Sequence, residues 1–305
     1  MNILAGVVKM RASRQRGVAL IQVLLISTIL SIFALQINQT SRNQVLLAKG
    51  FVDKSDAINK IRTARSQLFY ALSVEPRTQN GDSDNKIAKT WNFYNKPFKA
   101  PNGVVIKIQD IGGLLKLTNA TSIQLYKLLQ NIGLTKEEAD VYVASLQDWQ
   151  DGDDLTRING METEEYLEQG MRPPRNSRIQ FLEELEAVNG MKPQAWARLK
   201  PLITTQPVAQ FNPYTAPEEV LSALYSDSIA QRVTVLRKQE SYVTSQDFQQ
   251  ETGIYPGEWE TVYPSIYSRI SLEYGKDEDK IVELVSIKTL RNGLDIFQVT
   301  SRSEY

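Results

Sequence analysis

Apolar residues fill the chain from Val18 to Leu35 (VALIQVLLISTILSIFAL) and then thin into a stripe. No charge falls between Gly17 and Ser41, and the first stretch is apolar on every side of a helical wheel. As a helix, that uncharged window reaches about 37 Å, enough to cross a hydrocarbon core of about 30 Å. No breaker interrupts the chain beyond it until Gly50, and the first Pro is Pro76. Ala57, Ile61, Ala64, Leu68 and Leu72 then recur at three-to-four-residue spacing, which predicts one amphipathic face on the same helix. The pattern predicts a helix from Val18 to Leu72, about 80 Å long at the standard rise. Its first half suits lipid or neighbouring helices, and its second half has one stripe to bury against a domain.

Beyond the helix the texture changes twice. Glu75–Asn102 is rich in Pro, Asn, Asp and Gly and reads as a long loop. Val104–Asp110 reads as a strand, and Gly112-Gly113 turns it into Leu114–Leu117. From Asn119 to Val262 the spacing is helical, with candidates at Ser122–Asn131, Lys136–Asp148, Ile179–Val188, Pro193–Leu202, Pro217–Tyr225, Ile229–Lys238 and Ser245–Thr252. Strands return at Ser265–Tyr274, Lys280–Leu290 and Asp295–Thr300, with turns at Gly275-Lys276-Asp277 and Asn292-Gly293. This order predicts an α+β domain carrying a helical insertion. The expected divisions are 1–17, a leader; 18–72, the membrane and assembly helix; 73–118, the first part of the α/β domain; 119–262, the insertion; and 263–305, the closing strands.

Within the insertion, Ile132-Gly133-Leu134, Asn189-Gly190-Met191 and Thr252-Gly253-Ile254 each end a helix, where Gly supplies a left-handed turn. Such hairpins occur in DNA binders and in SAM-like bundles. Charge separates the two: residues 119–262 hold 12 Lys plus Arg against 22 Asp plus Glu, a net of −10. A phosphate-binding surface needs the opposite sign, so no nucleic acid is expected as a partner. Composition narrows the chemistry further. With no Cys and no His, disulfides, thiol nucleophiles, His-based triads and ordinary zinc sites are excluded.

Charge also orients the N-terminus. Lys9, Arg11, Arg14 and Arg16 precede the apolar stretch, and the first acidic residue is Asp53, so the positive-inside rule keeps the N-terminus cytoplasmic. A secretory signal would break after the apolar region, but Ile32-Phe33-Ala34 is a poor cleavage site. A plain signal anchor would not break at all. RQRG|VALIQVLLI resembles a third class, the type IV pilin-like leader, cut after Gly17 to leave Val18 as the new N-terminus. Met10 as the true start would give the short basic leader usual for that class, and Met1 is the alternative start. In such leaders the fifth residue after the cut is normally Glu, pairing with a neighbouring subunit's amine. Here it is Gln22, an amide that is cheaper to bury unpaired, which suggests a subunit with no neighbour above it.

The densest polar chemistry is Asp148-Trp149-Gln150-Asp151-Gly152-Asp153-Asp154, and then Gly160-Met161-Glu162-Thr163-Glu164-Glu165-Tyr166. Carboxylates crowded on a Gly-containing loop suit a hard cation such as calcium, which takes six to eight oxygens. It is not an EF-hand, because Leu155 stands at the third ligand position and no Glu closes a twelve-residue loop. The alternatives are Asp residues capping helices beside a solvated Glu face, or paired carboxylates hydrolysing a glycoside.

Together with the leader, IQDIGGLLKLTN (Ile108–Asn119), DWQDGDD (Asp148–Asp154), Gly160/Glu162/Tyr166, PPRN (Pro173–Asn176), EELEAVNGM (Glu183–Met191) and FNPYTAPEEVLSAL (Phe211–Leu224) resemble, in order, the minor pseudopilin K family of type II secretion systems. The Pro-Pro motif is shortened relative to the family, and its Asn-x-Asn-Thr-Ala reads Asn212-Pro213-Tyr214-Thr215-Ala216. The resemblance implies a pilin-like fold, with a long N-terminal helix packed on an antiparallel sheet and a large all-α insertion. It implies prepilin peptidase cutting after Gly17 and methylating Val18, and it accounts for Gln22. It further implies a non-enzymatic pseudopilus tip subunit of the bacterial inner membrane, partnered by minor pseudopilins I, J and H and an inner-membrane assembly platform. Calcium in the α-domain is implied too, with Asp148, Asp151, Asp153, Glu162 and Glu165 as candidate ligands. A membrane-anchored periplasmic hydrolase and a minor pilin of a type IV pilus or uptake system are the competing expectations.

Overall fold

The computed structural model describes residues 16–78, 81–239, 243–276, 280–290 and 296–304. The leader up to Gln15 and the turn residues Asp277 and Asn292-Gly293 lie outside the described residues. The chain divides into two units, Met1–Asp56 and Ala57–Tyr305. Helix α1, Arg16–Val74, belongs to both. In the first unit its apolar side chains, among them Val18, Leu25, Phe33 and Leu46, are exposed around the whole circumference. Among the described residues it is the one helix long and apolar enough to cross a membrane. The hydroxyls of Thr28 and Ser31 donate back to the Leu24 and Ser27 carbonyls, so these polar groups are satisfied within the helix.

In the second unit the stripe meets its partner. Ala57, Ile61, Ala64, Leu68 and Leu72 are buried with Ile106, Ile108, Ile270, Leu272, Val285 and Ile287 in one core. Strand β1, Phe98–Lys99, precedes β2, Val105–Asp110, and the two pair antiparallel. A single 3-10 turn, Ile111–Gly113, leads to β3, Leu115–Lys116. The insertion then supplies α2 (Ser122–Asn131), α3 (Lys136–Gln150), α4 (Thr163–Glu168), α5 (Pro193–Leu199), β4 (Ile203–Thr204), α6 (Glu218–Leu224), α7 (Asp227–Arg237) and α8 (Ser245–Thr252). The chain closes with β5 (Tyr267–Tyr274), β6 (Ile281–Thr289) and β7 (Phe297–Glu304). The main sheet runs β1-β2-β5-β6-β7, antiparallel throughout. Because β2 pairs directly with β5, Ile108 opposite Ile270, the chain leaves and re-enters the sheet at neighbouring strands, and everything between is an excursion from one seam.

The architecture is the expected α+β arrangement of long helix, antiparallel sheet and helical insertion. Three details differ from the sequence reading. Glu75–Asn102 is the expected loop apart from β1 at its end, but its described residues pack inward: Ile87, Ala88, Trp91 and Phe93 are buried in the sheet core, and the Trp91 indole donates to the Thr78 carbonyl at 2.8 Å. Its apolar residues keep to no period, so pattern alone could not mark them. Leu115-Lys116 does not fold back on β2 but pairs in parallel with Ile203-Thr204, a contact made only once the insertion is packed. The helix expected over Ile179–Val188 is a 3-10 segment at Leu182–Glu186, while α4 was hidden in the acidic run. A second core of Leu128, Leu129, Tyr142, Trp149, Tyr166, Leu199, Leu221, Val233 and Phe248 holds the helices together. The three Gly-hydrophobic hairpins behave alike, with Gly133, Gly190 and Gly253 at φ of 100°, 88° and 78°, where a side chain would be strained.

Candidate cation site

The site grows from the end of α3. That helix opens on a capping box, with Thr135 accepting from the Glu138 N–H and Glu138 accepting from the Thr135 N–H, and it aims Asp148 inward near its C-terminus. Asp151 caps it in extended conformation. The chain turns through Gly152 and Asp153, whose Oδ1 accepts from the Leu155 N–H at 3.0 Å, and comes back with Asn159 in the left-handed region at φ 66°. Glu162 sits at the N-cap of α4, its N–H held by Glu165 Oε2 at 2.9 Å. Trp149 packs edge-on against Tyr166 at 5.4 Å, and the Tyr166 hydroxyl accepts from the Asn189 N–H at 2.8 Å, so the two rings form a packed floor beneath the loop.

This fold brings Asp148, Asp151 and Glu162 together, with one carboxylate oxygen of each within 4.8 Å of the others. Asp148 is fully buried and Glu162 is 2 % exposed. Both oxygens of Glu162 and Oδ1 of Asp151 are buried with no hydrogen-bond partner, an arrangement that is costly unless something positive completes it. Burial first, and then the charges of Asp148 and Asp151, push the Glu162 carboxyl up to about 7. Arg157, which the sequence reading passed over, lies across the cluster: its Nη1 donates to Asp148 Oδ1 at 2.5 Å and also to Asp151. Its hydrogen bonds to those two carboxylates raise its already high pKa further. Gly160 is required by contact, since a Cβ there would overlap Asp148 Oδ2.

The other two candidate ligands go elsewhere. Asp153 is exposed and spends an oxygen on its own turn. Glu165 accepts from the Thr156 hydroxyl at 2.8 Å and from the Glu162 N–H, interactions that hold its carboxyl below the usual range. At the other end of the chain, Gly17, Val18 and Gln22 all lie within α1, Val18 and Gln22 with exposed side chains.

A second polar centre was also missed. Asp110 ends β2, fully buried, and accepts from four donors: the N–H of Gly112 at 3.0 Å, the N–H of Ser265 at 2.9 Å, the amide of Asn212 at 3.1 Å and the hydroxyl of Thr215 at 2.8 Å. Burial raises its pKa, opposed by these bonds. Asp110 thus ties the strand leaving the sheet, the Phe211–Ala216 segment of the insertion, and the strand returning. The motifs IQDIGG and FNPYTA are two halves of one clasp, which only their separate appearance in the sequence concealed.

Against known proteins, residues 105–208 match the family model for type II secretion system (T2SS) protein K. That stretch runs from β2 through the clasp aspartate and the whole acidic loop to just past β4. Type II secretion system protein K of Pectobacterium carotovorum is 25 % identical over 280 residues, 80 % of this chain and 81 % of that protein. The corresponding protein of Klebsiella pneumoniae is 24 % identical over 205 residues, and the chain spans only 62 % of its length. A solved GspK-GspI-GspJ complex from enterotoxigenic Escherichia coli aligns over 87 % of this chain and 99 % of the matched one, with 19 % identity and a TM-score of 0.49. The family match takes in Asp110 and the acidic loop, and the aligned relatives extend beyond it, so over this third of its length the chain is similar to type II secretion system protein K.

Proposed function

We propose that this chain is a non-enzymatic minor pseudopilin at the tip of a type II secretion pseudopilus, anchored in the bacterial inner membrane with its bulk in the periplasm. The observation that carries the reading is α1: from Val18 to Val52 its large apolar side chains are exposed all round, a surface that requires lipid before assembly and sister helices after it. Prepilin peptidase cuts after Gly17 and methylates Val18. The helix then packs with those of minor pseudopilins I, J and H, drawn from the membrane by the assembly platform. Gln22 carries no charge, in keeping with a subunit that has no neighbour above it to neutralise. The −10 insertion crowns the filament and excludes further subunits by its width.

The donor set at Asp148, Asp151 and Glu162 fits calcium: three converging carboxylates, all oxygen, with three buried oxygens unpartnered. Bound there, calcium would neutralise the mutual repulsion of the carboxylates and tie the end of α3 to the start of α4. Asp148 and Glu162 would hold it from the buried side and Asp151 from the loop.

The test is intact mass and N-terminal sequence of the full chain recovered from inner membranes, with secretion assayed in parallel. A chain beginning at methylated Val18, and loss of both cutting and secretion on Gly17→Val, are the expected results. An uncut chain that secretes normally overturns the reading.

A further inference from the structure

We propose that Arg157 is a built-in counter-ion of the acidic cluster, which a divalent cation must displace in order to bind. The inference rests on the calcium reading above and concerns the state of the chain before the ion arrives. Three carboxylates drawn within 4.8 Å repel one another, and two of them already share this one guanidinium, whose single charge offsets half of theirs. Arg157 Nη1 bridges Asp148 Oδ1 and Asp151 Oδ2, and the Arg157 backbone N–H donates to Asp148 Oδ2 at 3.2 Å. What remains free among the three is Glu162 Oε1 and Oε2 with Asp151 Oδ1. A calcium ion seated on those alone would lack the buried Asp148, and it would face a guanidinium already holding the same carboxylates. Ion and arginine therefore compete for one set of oxygens.

The surroundings allow the exchange. Asp148 has no exposure, whereas the Arg157 side chain is 41 % exposed and can swing into water by rotating about its own bonds. The loop that carries it packs little: Leu155 and Ile158, on either side, are 77 % and 91 % exposed. This has two consequences. Without an ion the cluster stays folded because a positive charge is always present. And an ion carrying a single charge offers no more than the arginine already supplies, so the site favours divalent cations over monovalent ones. An arginine in place about nine-tenths of the time weakens the apparent affinity about tenfold.

The experiment is a calcium titration by calorimetry, with thermal unfolding in calcium and in chelator, on the detergent-solubilised full chain carrying Arg157, Arg157→Gln or Arg157→Lys. Displacement predicts that Arg157→Gln binds calcium about tenfold more tightly. It also predicts that this variant melts below the parent in chelator and level with it in saturating calcium, with Arg157→Lys between. In the unsubstituted chain, calcium should raise the reactivity of Arg157 toward phenylglyoxal, mapped by mass spectrometry, which serves if the variants fold poorly. Equal or weaker calcium binding by Arg157→Gln, a melting deficit that persists in calcium, or unchanged Arg157 reactivity overturns the displacement and leaves the calcium reading standing. No calcium binding by any of the three chains overturns both.

Discussion

Two carboxylates lie at the heart of this chain, Asp110 at the seam of sheet and insertion and Glu162 in the acidic loop, and both are essentially inaccessible. Asp110 accepts four hydrogen bonds from four separate residues. Glu162 accepts none on either oxygen. Burial raises both, but the neighbours of Asp110 pull it back, whereas at Glu162 the largest influences after burial are the charges of Asp148 and Asp151, which push it further. The difference separates a carboxylate whose bonds the chain completes from one whose oxygens it leaves open, as the proposed calcium site requires. A buried charge that the protein has satisfied holds chain segments together; one left unsatisfied stores an interaction for something absent from the chain itself.

The comparison breaks most readily at the clasp. Asp110→Ala strands four donors in the interior and should destabilise the full chain by about 3–5 kcal/mol, equally with and without calcium, as read by denaturant unfolding. Asp110→Asn keeps one carbonyl acceptor and should lose clearly less. Glu162→Gln should behave in the opposite way. Unfolding in chelator should be unchanged or slightly harder, because an unpaired charge is gone, while the stabilisation by calcium at a hundredfold above its dissociation constant, about 2.7 kcal/mol for the parent, should vanish. A calcium-independent loss at Glu162 would erase the distinction.

Smaller effects sharpen it. Asp153→Asn and Glu165→Gln take the charge from a turn acceptor and a helix cap but keep a carbonyl oxygen to accept the same N–H, so each should cost about 1 kcal/mol or less and leave calcium affinity nearly unchanged in the titration. A large loss of affinity in either would enlarge the ligand set beyond the three converging residues. Smallest is the rim of the sheet. Burial pushes Glu273 up, but Lys107, Lys280 and Ser271 outweigh it and hold the carboxyl at about 2. A depressed carboxyl stabilises the fold above its unfolded pKa and stops doing so as pH falls through the folded one. The rim should therefore weaken between about pH 4.5 and pH 2, by less than about 1 kcal/mol for so exposed a pair of lysines, and Lys107→Met should flatten that part of an acid-unfolding curve.

Much of this molecule was legible before any coordinates. The α1 stripe, β2, α2 and α8 obey periodicity closely, because each is dictated by neighbours three or four residues away, or two in a strand. The acidic loop stood out by composition, yet five carboxylates looked equivalent and only three converge. Which three depends on where α3 stops and α4 starts, and α4 itself was obscured by a run of Glu that reads as a solvated face. Arg157 was invisible because one basic residue among acids carries no pattern. Trp91 and Phe93 looked like loop residues since nothing local announces that a non-periodic segment is buried.

What the sequence determined by itself is whatever short-range physics decides: a membrane-length apolar helix with one stripe, the strand–helix–strand order, an oxygen-rich loop, and the exclusion of thiol and imidazole chemistry. What only the tertiary structure decided are the contacts across long separations. Asp110 meets Asn212, Thr215 and Ser265, β3 meets β4, and Asp148 and Asp151, which Arg157 pairs, converge with Glu162. Local periodicity sets the faces that elements present; the closing of the chain at the β2–β5 seam and the packing of two separate cores set which faces, and which charges, meet.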